Sequence, residues 1–471
     1  MVKGQLSNVV IVSQLSNVSC QLYNQNMWRK QLKVSLLVLS DILIFYVALG
    51  LTLLIRYIII GRDSSTLLNS IPLHLIPFSI IFALWLIVFW ATGLYDLSKL
   101  KNEELFYKNL IITFGANAAI AISFFYFIPY FIITPKINLF IDLALTVAIL
   151  YFWRQYFNKW ATKALKIGVV FLGASPEVME LKEFLSNNPQ LGYLTVGILA
   201  PDNAIEIENL WQDKKFSLIV SAEQFDHSKK LSYLLFRYFK KGVTINDLDK
   251  FYETMTNRVP ISIIQEAWFL ENIGQSTRGF YETTKRVFDI AGSVVIGAIT
   301  LVISPFVVLA IEMSYPGTIF YKQRRVGKNG QIFTLTKFRS LISGSSAREA
   351  GISYEEKSTL VGKFLRKTHI DELPQVWNIL LGQMSFIGPR PEKPELVKKL
   401  SEDIPFYEIR HLIKPGIAGW AQLHNPNAGP TFKETIEKLQ YDLYYLKNRS
   451  IFLDFSIILK TIRILLSGTG K

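Results

Sequence analysis

Residues 285–313 read KRVFDIAGSVVIGAITLVISPFVVLAIEM, an apolar run that contains Ser304 and Pro305. Proline lacks an amide hydrogen and clashes with the preceding turn, so it kinks or breaks a helix. The arm before the proline has about 17 residues, the lower limit for crossing a membrane, and the arm after it is far shorter. Cations flank the run on both sides, at Lys285, Arg286, Lys322, Arg324, Arg325 and Lys328. We therefore expect a re-entrant helix-break-helix with both ends on the same, cytoplasmic, face, and one kinked transmembrane helix is the alternative.

Four more apolar stretches precede this run, and each is long enough to cross a hydrocarbon layer of about 30 Å. They cover residues 34–54, 73–94, 110–131 and 137–157, with a tight turn around Pro135 between the last two. Lys and Arg residues concentrate before the first stretch, between the second and third, and after the fourth. Residues 1–160 are therefore predicted to form an N-terminal segment and a four-helix transmembrane bundle with both ends in the cytoplasm.

Asp41 and Asp142 lie inside the first and fourth of these stretches. Ionisable side chains within a membrane either contact an ion or a lipid or make hydrogen bonds between helices. The sequence leaves both interpretations open for both residues.

The composition limits the possible partners. The net charge is +14 and half of the residues are hydrophobic, which favours anions such as phospholipid headgroups or phosphorylated substrates. Nucleic acid is disfavoured because no basic run is interleaved with aromatic residues. Cys20 is the only cysteine, which excludes an intrachain disulfide, and the five histidines show no zinc-binding spacing. The polar opening of the chain argues against a cleaved signal peptide.

From residue 166 to about 262 the pattern changes to alternating strands and helices. Residues 166–175, KIGVVFLGAS, predict a buried strand that ends in a turn at Gly173, and Pro176 suits the first turn of a helix. Further strands are expected at 195–199 and 217–221, with a helix near 229–241. This segment resembles a small Rossmann-like, CoA-binding-like domain. The glycine fingerprint of dinucleotide-binding domains is absent, so we favour a structural or regulatory role over cofactor binding.

A basic ribbon follows the apolar run. Residues 319–326 and 331–338 flank Asn329-Gly330, a strong signal for a tight hairpin turn. The two strands carry the sequences QRRVG and TKFR, which place Arg324, Lys337 and Arg339 on a short element. Such cations are usually solvated, but three further charged motifs follow them, which favours a binding role.

The first of these motifs is FLRKTHIDELPQ, residues 364–375, which contains Arg366, Asp371 and Glu372. Leu373, Val376, Trp377 and Leu380 recur at helical spacing, and Gly382 is placed to end the helix. The two acidic residues are thus predicted at or just before a helix N-terminus, which attracts phosphate. The structural alternative makes Asp371 an N-cap and Glu372 a residue that complements the helix dipole.

The other two motifs are GPRPE, residues 388–392, and KPGIAGWAQ, residues 414–422. Rigid turns that present Arg390 and Lys414 suit the recognition of a diphosphate.

Taken together, KRVFD, the Ser304-Pro305 break, QRRVG, KFRS, LRKTHIDELPQ, GPRP and KPGIAGWAQ resemble the bacterial sugar transferase family. This is the catalytic part of polyprenyl-phosphate hexose-1-phosphate transferases, the monotopic phosphoglycosyl transferases, and the resemblance covers residues 283–471. The helices and middle domain before it resemble long-form members of the bacterial inner membrane, which initiate capsule, exopolysaccharide and O-antigen synthesis. The resemblance implies a mainly α membrane protein with a four-helix bundle, an α/β Rossmann-like middle domain and an α+β catalytic domain that includes the re-entrant segment.

The resemblance also implies a two-step reaction. Asp371 attacks the sugar-linked phosphate of a UDP-sugar, UMP leaves, and the phosphosugar is passed from the aspartate to polyprenyl phosphate. Glu372 binds Mg²⁺ in this scheme. The phosphate-binding set implied by the family motifs is Arg390, Arg324, Lys337 and Arg339, with Arg366 and Lys414 as further members. A homodimer formed through the first four helices is a possible assembly.

Two positions depart from the family pattern. His369 and Ile370 precede the acidic pair where the family commonly has Ser-Leu, and Gln383 replaces a common aspartate. A membrane-bound, NAD-dependent sugar-nucleotide dehydratase or epimerase is an alternative, since Tyr281 and Lys285 have its Tyr-xxx-Lys spacing, but its glycine-rich turn is missing. A non-enzymatic polytopic membrane protein leaves the charged motifs unexplained. The identity of the sugar is not encoded in any of these motifs.

Overall fold

The computed structural model describes residues 31–59, 64–97, 100, 104–127, 136–163, 166–200, 204–213, 216–222, 229–273, 279–314, 317–341, 359–425 and 431–467. The first 30 residues and the predicted turn around Pro135 lie outside this part of the chain. The chain forms two compact units, one up to Phe251 and one from Tyr252 onwards.

The first unit begins with four long helices, α1 (Gln31–Ile59), α2 (Ser64–Ala91), α3 (Glu104–Phe127) and α4 (Lys136–Lys163). Each contains an apolar stretch of 21 residues or more, so each is long enough to cross a membrane. Aromatic side chains such as Phe45 and Trp85 fill the bundle core, while Leu39 and Ile111 are exposed on its outside. Helices that are apolar on all sides are typical of a membrane protein, as predicted.

The rest of the first unit is a parallel sheet with interleaved helices. The strands are β1 (Ile167–Leu172), β2 (Tyr193–Leu199), β3 (Leu218–Ser221) and β4 (Thr244–Asp247), in the order β2-β1-β3-β4. The helices are α5 (Pro176–Asn187), α6 (Ala204–Asp213) and α7 (Lys229–Lys240), and α8 (Leu248–Thr256) begins in this unit and ends in the second one.

The predicted start of this sheet is confirmed. Strand β1 is buried along almost its whole length, as expected for the central strand. Gly173 follows it with a φ of 96°, a conformation that favours glycine. Ser175 Oγ then accepts a hydrogen bond from Val178 N and caps α5, so Pro176 occupies the first turn.

The apolar run 285–313 lies within one helix of the second unit, α10 (Gly279–Ser314), which follows α9 (Glu266–Asn272). Helix α10 continues through Ser304 and Pro305, so the prediction of a break between two helical arms is wrong. Proline removes only one backbone hydrogen bond, and the turn around it has a further bond, because Ser304 Oγ donates to Thr300 O at 2.6 Å. Such side-chain bonds to the preceding turn bend helices without ending them.

The second unit continues with short elements. They are β5 (Phe320–Val326), β6 (Ile332–Phe338), α11 (Leu360–Thr368), a 3₁₀ helix (Ile370–Gln375), α12 (Val376–Leu380), β7 (Ser385–Ile387), α13 (Pro394–Asp403), a second 3₁₀ helix (Tyr407–Leu412), β8 (Gly416–Ala418), α14 (Trp420–His424), α15 (Phe432–Asn448) and α16 (Ile451–Ser467). Strands β5 and β6 pair antiparallel around Asn329 (φ 52°) and Gly330 (φ 77°), which confirms the predicted hairpin.

Helix α16 has one face in the core of this unit and one face exposed. Ile457 is fully buried, and the Lys460 ammonium lies 4.9 Å from the centre of the Trp420 ring. Phe452, in contrast, is 83% exposed, and Ile462 is also exposed. The helix therefore combines core packing with an apolar outer face.

The GPRP and KPG motifs meet through two glycines. Strand β7 pairs parallel with β8, so Gly388 and Gly416 approach each other closely. A Cβ atom on Gly416 would lie 2.1 Å from Gly388 N, which no side chain allows. Both motifs therefore require glycine for close backbone contact.

Replacing Gly416 by alanine should destabilise the second unit by about 1–3 kcal/mol or more, because backbone atoms have to move apart. The measurement is the melting temperature of the purified protein in detergent. Gly279→Ala is the matched control, since a Cβ atom there has no neighbour within 4 Å. Equal melting temperatures for the two variants would contradict the close approach.

Candidate active site

Asp371 and Glu372 lie in the 3₁₀ helix Ile370–Gln375, which leads directly into α12. The predicted position just before a helix is confirmed. The N-cap interpretation of Asp371 is wrong, because neither of these two helices has a side-chain cap. Helix α12 has only five residues and its dipole is correspondingly small, so side-chain charges dominate here.

Glu372 is held between two cations. Its Oε1 atom accepts a short hydrogen bond from Lys337 Nζ and lies 3.6 Å from Arg390 Nη2. Burial raises the pKa of Glu372, but Lys337 and Arg390 more than offset it and lower the pKa below the usual range. Glu372 is therefore a stable anion at neutral pH.

Asp371 is buried but has no hydrogen bond or ion pair within the described ranges of the chain. Burial raises the pKa of its carboxyl and the charge of Glu372 raises it further, while Lys337, His369 and Arg366 oppose this shift. The two neighbouring carboxyls thus differ, because Glu372 has two cationic partners whereas the Asp371 oxygens have none among the described residues.

Two other arginines, Arg410 and Arg325, support Arg390 through hydrogen bonds to backbone carbonyls of the GPRP motif. Arg410 Nη2 donates to Arg390 O at 3.1 Å and forms a buried ion pair with Asp442 at 2.7 Å. Arg325 Nη1 donates to Pro391 O at 3.0 Å, and Val326 N donates to Glu392 O, so β5 also supports the motif. The Arg390 side chain itself is 50% exposed and is available to a ligand.

The remaining predicted phosphate-binding residues do not all reach the acidic pair. Arg366, in the last turn of α11, is close enough for its charge to act on Asp371. Arg324 is exposed and pairs with Thr334, whereas Lys337 pairs with Tyr321. Paired residues of two strands have their side chains on the same face of the ribbon, and successive residues of one strand alternate between its two faces. Lys337 shares a face with its partner Tyr321, and Arg324, three residues after Tyr321, lies on the opposite face. Arg339 is buried with its guanidinium against Gly317.

Lys414 lies at the other end of α12. Its ammonium and the Arg286 guanidinium both lie against Gly382, where a Cβ atom would be 3.5 Å and 3.6 Å from them. Burial, and then the charge of Arg286, lower the pKa of Lys414. Lys414 is therefore grouped with the base of α10 and not with Asp371 and Glu372.

The residues of KRVFD connect α10 to the site. Arg286 donates to Ile379 O and Leu380 O, at 2.6 and 2.7 Å, and so satisfies the last carbonyls of α12. Asp289 Oδ1 accepts from Ser385 Oγ and Phe386 N, both at 3.0 Å. The apolar helix and the segment that carries the acidic pair are joined by these bonds.

The Tyr-xxx-Lys pair has a structural explanation. Tyr281 OH donates to Asp454 Oδ2 at 2.9 Å, and Lys285 Nζ donates to the same oxygen at 2.7 Å. Both side chains thereby fasten α10 to α16, so their spacing does not indicate a dehydratase or epimerase.

The two departures from the family pattern have local roles. His369 has a φ of 57° and ends α11, since its amide donates to Arg366 O. Gln383 Oε1 accepts from Asn378 Nδ2 at 2.7 Å, and that amide also donates to Thr334 O. Gln383 therefore supports the contact between α12 and β6.

Sequence reasoning missed Arg325, Arg410 and Asp442. Arg325 lies inside QRRVG, where its alternation with Arg324 was a usable signal. Arg410 and Asp442 are 32 positions apart and belong to no motif, so only the fold brings them together.

The acidic pair could supply some, but not all, of the ligands of a hard cation such as Mg²⁺. Mg²⁺ is commonly held by one or two carboxylates together with substrate phosphates and water. The cations around Glu372 engage its Oε1 atom, which leaves Oε2 as an oxygen ligand. Within the described residues no group of three or more acidic, histidine or cysteine side chains could hold a metal alone. A bound metal would therefore depend on substrate oxygens.

Comparison with known proteins identifies sugar transferases as similar to this chain. The family model described as bacterial sugar transferase matches residues 280–468. The UDP-N-acetylgalactosamine-undecaprenyl-phosphate N-acetylgalactosaminephosphotransferase of Aeromonas hydrophila is 38% identical over 234 residues, 48% of this chain and 53% of that protein. The UDP-glucose:undecaprenyl-phosphate glucose-1-phosphate transferase of Xanthomonas campestris pv. campestris is 29% identical over 340 residues, 65% of this chain and 68% of that protein.

A shorter relative is covered almost completely. The uncharacterized sugar transferase EpsL of Bacillus subtilis (strain 168) is 36% identical over 190 residues, 40% of this chain and 89% of that protein. The chain thus spans about half the length of the Aeromonas relative and most of the short one. It belongs to the bacterial sugar transferase family.

Proposed function

We propose that this protein transfers a hexose 1-phosphate from a UDP-sugar to undecaprenyl phosphate and releases UMP. The observation that carries this proposal is the buried Asp371 carboxylate next to Glu372, which Lys337 and Arg390 neutralise. The names of the relatives supply the donor and acceptor classes. The reaction is the first membrane step in the synthesis of an exopolysaccharide, capsule or O-antigen.

In the first step, an Asp371 carboxylate oxygen attacks the phosphorus that is bonded to the sugar oxygen. The bond from that phosphorus to the bridging oxygen of UMP breaks, and UMP leaves with the electron pair. The sugar phosphate is then held as an acyl phosphate on Asp371. In the second step, an oxygen of undecaprenyl phosphate attacks the same phosphorus and the aspartate leaves, which gives the undecaprenyl diphosphate sugar.

Charge neutralisation is the main task of the surrounding residues, because two phosphate groups approach a carboxylate. Lys337 and Arg390 lie on the Glu372 side of the pair and Arg366 on the Asp371 side. Glu372 would hold Mg²⁺, which supplies further positive charge to the diphosphate when bound. We assign different roles because the Asp371 oxygens have no partner in the part of the chain that the structure describes, whereas Glu372 Oε1 contacts two cations.

The test uses membranes that contain the full chain, Mg²⁺, undecaprenyl phosphate and a panel of UDP-hexoses. UMP release with at least one donor is the expected result, and the panel identifies the sugar. Absence of UMP with every donor would disprove the proposal.

Replacing Lys337 by glutamine should lower the rate of UMP release by about a hundredfold or more, since a fixed cation at the reacting phosphate is lost. Lys322→Gln is the matched control, because Lys322 is exposed and pairs with Thr336 on the other face of the same ribbon. We expect the control to keep nearly the full rate. Equal rates for both variants would show that Lys337 does not act on the reaction.

We further propose that α10 is re-entrant and that the second unit faces the cytoplasm of the bacterial inner membrane. Support comes from both ends of α10, which contact the same unit. Arg286 binds α12 near the start of the helix, while Val307 and Ile311 pack with Phe338 near its end. A proline within a helix permits the bend that this requires.

Cysteine accessibility checks the re-entrant arrangement. Cys20 is replaced by serine, and single cysteines are introduced at Phe280 or Lys328, exposed positions on the two sides of the apolar run. A membrane-impermeant maleimide added to spheroplasts should label neither cysteine until the membrane is permeabilised. Labelling of one of the two in intact spheroplasts would instead indicate a helix that spans the membrane.

Two finer assignments complete the proposal. We assign the parallel-sheet domain as Rossmann-like and structural, because its β1 turn offers Gly173 without a glycine fingerprint. A homodimer formed through the apolar helices is the expected assembly, and native mass spectrometry in detergent would reveal it.

A further inference from the structure

The two acidic residues of the helix bundle differ in their surroundings. Asp41 on α1 forms an ion pair with Arg154 on α4, at 2.5 Å, and Tyr95 OH donates to the same carboxylate at 2.9 Å. All three side chains are buried. Asp41 is therefore explained as a charge-compensated link between two helices, made through its Oδ2 atom, while Oδ1 has no hydrogen-bond partner in the described residues.

Asp142 on α4 has no such explanation. It is fully buried, and neither carboxylate oxygen has a hydrogen-bond partner among the described residues. The same holds for the hydroxyl of Thr146, one turn later. One turn earlier, Asn138 Nδ2 bonds to His74 Nε2 at 3.1 Å, while its Oδ1 atom has no partner in the part described.

These three positions belong to a polar stripe along α4. Residues 138, 142 and 146 recur every four positions, so they share one face of the helix. The stripe continues, after Leu150, with Arg154 and Asn158, both buried. Asp142 is thus flanked on its own face by two oxygen-bearing side chains.

An isolated carboxylate is too costly to bury in an apolar bundle unless its charge is compensated. No described charged side chain acts electrostatically on Asp142. The titratable groups of the bundle include His74 on α2, which bonds to Asn138, and the group of Asp41, Tyr95 and Arg154, whose charges compensate each other. They also include Lys33, Tyr46, Arg56 and Tyr57 on α1, Tyr107, Lys108 and Tyr126 on α3, and Tyr151, Tyr156 and Lys159 on α4, none of which acts electrostatically on Asp142. Within the described residues no side chain supplies the compensating charge, which favours a bound species as its source.

We propose that Asp142, with Thr146 and Asn138 on either side, forms a buried binding site for one monovalent cation within the helix bundle. The three side chains offer only oxygen ligands, which suits either a proton on the carboxyl or a sodium-sized ion. A single carboxylate compensates one positive charge, which disfavours a divalent ion. The site lies in the first unit and is separate from the transfer reaction.

Chemical labelling tests the site on the full chain in detergent. Dicyclohexylcarbodiimide is an apolar reagent that adds to protonated carboxyl groups, and mass spectrometry identifies the modified residue. We expect severalfold more modification at Asp142 than at Asp41, whose carboxylate is engaged by Arg154. Suppression by NaCl but not by choline chloride assigns a sodium-type ion, whereas equal labelling in both salts that falls as pH rises assigns a proton.

A second test measures melting temperatures and does not depend on entry of the reagent into the bundle. Asp142→Asn should keep the wild-type melting temperature and lose any dependence on pH or sodium. Asp41→Asn, the matched control, should melt at a lower temperature in every condition because Arg154 is left uncompensated. The proposal is overturned if Asp142→Asn is destabilised as strongly as Asp41→Asn and wild-type melting responds to neither pH nor sodium.

Discussion

Replacing Asp371 by asparagine is expected to abolish UMP release, with a loss of about a thousandfold or more, since the carboxylate oxygen that we propose as the nucleophile is gone. The amide has nearly the same shape as the carboxyl, and the native carboxyl makes no hydrogen bond or ion pair within the described ranges. The variant should therefore keep its melting temperature. The rate of UMP release from the best UDP-sugar is the first measurement.

A covalent adduct gives the second measurement. Wild-type protein mixed with donor and no acceptor should gain the mass of one hexose phosphate, located to the peptide that contains Asp371. Asp371→Asn should gain none. An adduct on another residue, or turnover by a well-folded Asp371→Asn protein, would assign the nucleophile elsewhere.

Replacing Arg410 by methionine should lower the free energy of unfolding of the second unit by about 3–5 kcal/mol, because Asp442 is left as an uncompensated buried charge. Arg410 and Asp442 are only 5% and 2% exposed, so water cannot replace the lost partner. The same change removes the bond from Arg410 to Arg390 O, and the rate of UMP release should fall as well.

A double variant separates the two effects. Adding Asp442→Leu to Arg410→Met removes both charges and should restore most of the stability, because replacing a whole buried ion pair with apolar side chains is often neutral or stabilising. The rate should stay low, since Arg390 is still unsupported. A single Arg410→Met variant with wild-type stability would show that the ion pair contributes little to folding.

Local features of this fold were predictable from the sequence. The four apolar stretches and strand β1 follow from hydrophobic patterns over short windows. The hairpin follows from Asn329-Gly330, whose positive φ angles suit these two residues. The break at Pro305 was wrong because a proline pattern does not distinguish a bend from the end of a helix.

The membership of the site was only partly predictable. The hairpin register, which follows from the turn, places Arg324 and Lys337 on opposite faces of the ribbon. The prediction grouped the two residues by their charge and did not take this alternation into account. The position of Lys414 beside Arg286 depends on β8 pairing with β7, a long-range contact. Likewise, the partners of Asp41 and the isolation of Asp142 required the packed bundle.

The bonds from α10 to the second unit have a practical consequence for producing a water-soluble fragment. A fragment that begins at β5 lacks Arg286 and Asp289, which leaves the last carbonyls of α12 and the amide of Phe386 without their partners. These groups lie on the segment that follows Asp371 and Glu372, so we expect the loss to disturb the candidate active site first. We therefore expect an active fragment to retain the helix from Gly279, and this apolar helix in turn calls for detergent.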